Sequence, residues 1–67
     1  MEHLDIKEVQ IGDQILFGMT RDHVWLGITE VNHDLDAERS EIHTSDGDIY
    51  VFNFGCTFRV IRAMELN

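Results

Sequence analysis

Two runs of alternating apolar and polar residues flank an Asp-Gly pair in the stretch Arg39 to Asn53, RSEIHTSDGDIYVFN. Period-two alternation rich in β-branched and aromatic residues on both sides of Asp-Gly predicts a β-hairpin. With Asp46 and Gly47 as the two positive-φ residues of a type I′ turn, Thr44 faces Ile49, His43 faces Tyr50, Ile42 faces Val51 and Glu41 faces Phe52. Side chains alternate across a strand. Ile42, Thr44, Ile49 and Val51 therefore form the expected core face, and Glu41, His43, Tyr50 and Phe52 the outward one. A slip of one residue in this register exchanges the faces.

The rest of the chain follows the same period less regularly. Residues 1 to 11 carry Leu4, Ile6, Val9 and Ile11 as apolar positions, which predicts a short strand or an extended arm. After the turn signal Gly12-Asp13, QILFGM places Ile15, Phe17 and Met19 on one face. Thr20-Arg21-Asp22 is a short polar connection to a strand from about His23 to Asn32, HVWLGITEVN. That strand starts with Val24, Leu26 and Ile28 on one face and loses phase at Glu30. A β-bulge near Thr29-Glu30 returns Val31 to the core, and Gly27 lets the strand bend. Asn32 to Glu38 reads as a polar loop in which Leu35 is the large apolar residue. Beyond the hairpin, FGCT suits a single 3₁₀ turn and FRVIR a last strand with Phe58 and Val60 on one face. RAMELN is too short to hold a helix alone.

Five short strands joined by tight turns predict an all-β fold, a small and strongly bent antiparallel barrel. One domain over 1–67 is expected, with a barrel core at about 12–62 and flexible ends. The layout over Gly12 to Arg62 resembles the SH3-like barrels: a strand after a Gly-Asp turn, a bent second strand, a polar loop, a tight hairpin, a 3₁₀-like turn and a short final strand. GDQILF and DGDIYVF are most similar to short bacterial and bacteriophage SH3-like proteins, and the KOW and Tudor relatives are similar in layout only. The chain lacks the ALYDY-type run and the paired tryptophan of eukaryotic peptide-binding SH3 domains, and Trp25 stands alone. An Sm-like or partial OB barrel is the structural alternative.

Charge and composition narrow the functions. Thirteen acids oppose five bases, a formal net charge of −8. Seven of the acids (Glu30, Asp34, Asp36, Glu38, Glu41, Asp46 and Asp48) lie between positions 30 and 48, with Arg39 the one base among them. A field of this sign repels nucleic acid and points to a basic protein partner. The single cysteine, Cys56, closes no intrachain disulfide, which fits a reducing cytoplasm. Cys56 reads as a small buried hydrophobe. No apolar run approaches the ~20 residues of a membrane span.

No stretch carries a chemistry motif. His33, Asp34, Asp36 and His43 invite a metal, but EF-hand registers starting at Asn32 or Asp34 put Ala37 or Arg39 at the required glycine. One cysteine with scattered histidines makes a poor zinc set. A chain this small has little room for a cleft that separates the pKa values of two carboxylates, so no enzyme and no cofactor are expected. Arg59 and Arg62, with Lys7, are expected to neutralise acids of the same chain. The most suggestive surface is His43, Tyr50 and Phe52 beside Glu41, extended by Trp25 into an aromatic groove and rimmed by Asp34, Asp36 and Glu38. This predicts a non-enzymatic protein-binding module. Mimicry of nucleic acid by the clustered carboxylates is the second expectation, and direct KOW- or Sm-style binding of nucleic acid is opposed by charge. An exposed edge strand leaves homo-oligomerisation open.

Overall fold

One break in alternation shapes the whole molecule, and it falls where β3 loses phase. The computed structural model describes residues 2–17 and 24–66. Its strands are β1 (Glu2–Asp5), β2 (Gln14–Phe17), β3 (Val24–Asp34), β4 (Arg39–Thr44), β5 (Ile49–Asn53) and β6 (Thr57–Ile61), with 3₁₀ turns at Ile6–Glu8 and Ala63–Leu66. The N-terminal half of β3 pairs with β2, in a register that sets Ile15 opposite Leu26. The C-terminal half pairs with β4, and the register shifts between Ile28 and Glu30. Thr29 is the extra residue of a β-bulge, as the phase loss predicts, and Val31 packs against the core. The bulge bends β3. One strand thereby serves both halves of the sheet.

The fold is all-β, a single antiparallel sheet in the order β1-β6-β2-β3-β4-β5. Two features differ from the expected barrel. The N-terminal arm adds a sixth strand, with Leu4 opposite Phe58 in the β1–β6 ladder. The sheet also stays open, because β1 and β5 end the order without pairing to each other. Side chains join the two halves instead. Phe52 of β5 meets Phe58 of β6 edge-on at 4.9 Å between centroids, and Tyr50 lies 4.9 Å from Phe17 of β2. Met19, Thr20-Arg21-Asp22 and His23 lie outside the described residues.

The inner face buries Ile6, Val9, Ile15, Ile28, Ile42 and Val60. These six side chains are the buried apolar ones among the described residues, and buried polar nodes supplement them. Asp13, 2 % exposed, accepts hydrogen bonds from the Gln10 N–H (2.8 Å) and the Ala63 N–H (2.9 Å), and its carboxylate lies 3.5 Å from the Arg62 Nε. This one carboxylate ties the turn before β2 to the C-terminal 3₁₀ turn. Arg62 is thus neutralised within the chain, as expected from the acid excess. A second node lies at His33, placed in a polar loop by composition but found inside β3. Its Nε2 donates to the Val9 C=O (2.9 Å), since a carbonyl only accepts, and its Nδ1 is hydrogen-bonded to the buried Ser40 hydroxyl at 2.6 Å. These partners keep β3 paired as far as Asp34 and shorten the loop to residues 35–38.

Asp13→Ala removes the acceptor shared by the Gln10 and Ala63 N–H groups and the carboxylate beside Arg62, and is expected to cost about 3 kcal/mol. Urea unfolding measures this, and a loss under about 1 kcal/mol would show that water replaces the carboxylate at no great cost.

Candidate binding surface

The hairpin forms, but its turn has three residues. The Thr44 N–H donates to the Asp48 C=O (3.0 Å), and the Gly47 N–H donates to the Thr44 C=O (2.9 Å). Ser45, Asp46 and Gly47 thus make a type I turn closed by a residue at positive φ, 91° at Gly47. Asp46 keeps a negative φ, because Glu38 is the one non-glycine residue at positive φ among those described. A type I′ turn would have forced an aspartate into the left-handed region, and the three-residue loop avoids that cost. The Thr44 hydroxyl donates to the Asp46 carboxylate within the turn and holds its pKa below the usual 3.8.

The extra loop residue moves the register by one. His43 now faces Ile49, Ile42 faces Tyr50, Glu41 faces Val51 and Ser40 faces Phe52. The faces of β5 are therefore exchanged relative to the sequence expectation. Tyr50 and Phe52 point inward, half-buried, and their near-parallel rings lie 6.1 Å apart. Ile49 and Val51 point outward, 59 % and 55 % exposed. Burial favours this choice, since two aromatic rings remove more apolar area than Ile and Val and gain ring-ring contacts worth ~1 kcal/mol each. Trp25 belongs to another surface. It lies opposite Leu16 on the outer face of the β2–β3 half, so the expected groove of Trp25 with Tyr50 and Phe52 does not form.

Pairing places Glu30, Asn32 and Asp34 of β3, His43, Glu41 and Arg39 of β4, and Ile49, Val51 and Asn53 of β5 on one outer face. The His43 imidazole lies between two carboxylates, with Nδ1 3.6 Å from Glu30 and Nε2 3.3 Å from Glu41. Beside it, Asn32, Asp34, Arg39, Glu41 and Val51 line a depression of about 360 Å³. Glu41 and His43 thus face outward as the sequence suggests, and their apolar companions are Ile49 and Val51. Asp34 ends β3 and accepts the Ala37 N–H at 3.0 Å. Asp36 and Glu38 are exposed in the adjoining turn. Cys56 is exposed and unpaired, contrary to the buried role expected of it. Its backbone is engaged on both sides, accepting from Ile6 and donating to Asn53, while the thiol meets solvent.

Among the described residues no three His, Cys, Asp or Glu side chains are grouped to hold a metal, and no helix is long and apolar enough to cross a membrane. No family model, curated protein or solved structure matches the chain.

Two titrations test the register and its turn. Burial, followed by the charges of Asp48 and Asp46, raises the Tyr50 phenol above its usual 10.0. The neutral phenol is the form the fold favours, so its stabilising contribution is complete below pH 10 and is lost as pH rises through the raised value. Ultraviolet titration of this single tyrosine is expected to show a midpoint above 10, and a midpoint at or below 10 would return the ring to the outer face. For Asp46 the sign is opposite. Its contribution is present above the usual 3.8 and is lost as pH falls through the lowered value. Thr44→Val should move the Asp46 carboxyl midpoint, followed by NMR, back up toward 3.8.

Proposed function

We propose that this chain is a small non-enzymatic protein-binding module of SH3-like layout. It engages a basic partner through the outer face of β3, β4 and β5. The observation that carries the reading is the pair Ile49 and Val51, exposed on the edge strand of a face whose inner strands supply Glu30, Asp34 and Glu41. An apolar patch flanked by charge suits a protein partner: the apolar side chains supply affinity, and the acids beside them steer and select a partner of opposite charge. The order β6-β2-β3-β4-β5, with a bent β3 shared by both halves, supports the SH3-like resemblance. The free, exposed thiol of Cys56 supports a reducing, cytoplasmic setting.

The acid excess favours a second reading, in which Asp34, Asp36 and Glu38 stand in for phosphates and occupy the basic groove of a nucleic-acid-binding protein. Affinity capture from host extract, quantified by mass spectrometry, separates the two. Ile49→Ser with Val51→Ser is expected to abolish capture of the partner while changing stability by no more than ~0.5 kcal/mol per site, because both side chains are exposed. Asp34→Asn, Asp36→Asn and Glu38→Gln together should only weaken it. The reverse pattern, with a steep loss in salt, assigns mimicry. Retention of labelled DNA or RNA at physiological salt would overturn both readings.

A further inference from the structure

The two edges of the open sheet are built differently. β1 is four residues long, Glu-His-Leu-Asp, with polar or charged side chains at three positions. Such residues blunt an edge against pairing with another chain. β5 reads Ile-Tyr-Val-Phe-Asn and carries no charge, no proline and no register shift against β4. Its backbone is also presented outward. The Thr44 N–H donates to the Asp48 C=O and the Phe54 N–H to the Glu38 C=O, so the bonded pairs with β4 fall on even-numbered residues. The N–H and C=O groups of Ile49 and Val51 therefore point away from β4. Among the described residues no strand pairs there.

We propose that the β5 edge is a strand-addition site that takes an extended, basic segment of the partner protein. This rests on the protein-binding reading of the same face and specifies how the partner is held. Two donors and two acceptors, at Ile49 and Val51, fix the main chain of the incoming strand, and alternate side chains read the two faces. On the outer face, Lys or Arg lays its aliphatic stem along Ile49 or Val51 and carries its charge toward Glu41, which lies opposite Val51. On the inner face, apolar residues meet the half-buried Tyr50 and Phe52. Asp46 and Asp48, at the turn where β5 begins, add attraction for the same segment. A second copy of this chain is a poorer occupant, since each copy brings a net charge of −8 and a β5 with no basic residue to offset it.

The probe is an octapeptide of alternating lysine and valine, with a control methylated on alternate backbone nitrogens so that charge and side chains are kept but the paired edge cannot donate. Binding is followed by NMR, together with hydrogen exchange of the Ile49 and Val51 amides. The unmodified peptide is expected to slow exchange at these two amides and to bind at least about tenfold tighter than the methylated one, the loss expected for two backbone hydrogen bonds. Val51→Pro, which removes an outward N–H and leaves the β4 ladder intact, should weaken the unmodified peptide by a similar factor. If that variant does not fold, the peptide pair decides alone. Equal affinity for the two peptides overturns the edge assignment and leaves the face reading standing. Failure of both peptides to bind, or pre-existing protection of the two amides in a dimer of this chain, also overturns it. In those cases the capture experiment on Ile49 and Val51 still decides the face reading.

Discussion

Gly47 stands at φ 91°, and the three-residue turn that it closes decides on which side of β5 every side chain falls. With a two-residue loop, Ile49 and Val51 would have packed inward and the two aromatic rings outward. With three, Tyr50 and Phe52 reach Phe17 and Phe58 across the inner face. That aromatic contact holds β5 against β2 and β6, since among the described residues no ladder closes the sheet between its edges. Turn geometry thus substitutes for strand pairing. The backbone of one glycine places the rings, and the rings draw together the two halves of the bent sheet.

Six buried aliphatic side chains among the described residues make a modest core. A domain of this size buries a smaller share of its surface than a larger one and has little hydrophobic margin. The polar nodes carry correspondingly more weight. Asp13 joins segments 50 residues apart in sequence through its bond to Ala63, and His33 links β3 to the Val9 carbonyl. Both are satisfied, and no buried side-chain polar atom lacks a partner among the described residues. A buried polar group with all its bonds made specifies one arrangement of the chain, and a partly bonded one would penalise every arrangement. The N-terminal arm is held by the same logic: the Asp5 carboxylate accepts the Gly55 N–H, and β1 pairs with β6.

Local pattern and long-range choice divide what the sequence made legible. The bulge at Thr29 was legible because a lost phase at Glu30, with Val31 needing burial, has few remedies in a strand. The hairpin was legible for the same local reason, yet its register was not. Ser45-Asp46-Gly47-Asp48 accommodates a two-residue or a three-residue loop, and the difference is settled by Phe17 and Phe58, far away in sequence. His33 and Cys56 failed in complementary ways. The histidine is drawn inward by a carbonyl 24 residues distant, and the thiol is left outside by a turn whose backbone bonds fix its direction. The candidate surface followed the register. Glu41 and His43 face outward as the alternation along β4 implies, and their apolar neighbours on β5 are Ile49 and Val51 because the turn shifts that strand by one residue.

The exchange also changes what the outer face is able to do. Tyr50 and Phe52 outside would have made a stacking surface with polar tips, and the main chain of β5 would have been incidental to it. With Ile49 and Val51 outside, the exposed side chains belong to the same residues whose N–H and C=O groups point off the edge, a coincidence that alternation imposes. A partner strand that pairs with those backbone groups meets those side chains as its immediate neighbours. The acids lie one and two strands further in, on β4 and β3, within reach of long basic side chains but not of short ones. Main chain, apolar contact and charge are therefore graded outward-in across three adjacent strands, and a single residue in the turn sets that gradient.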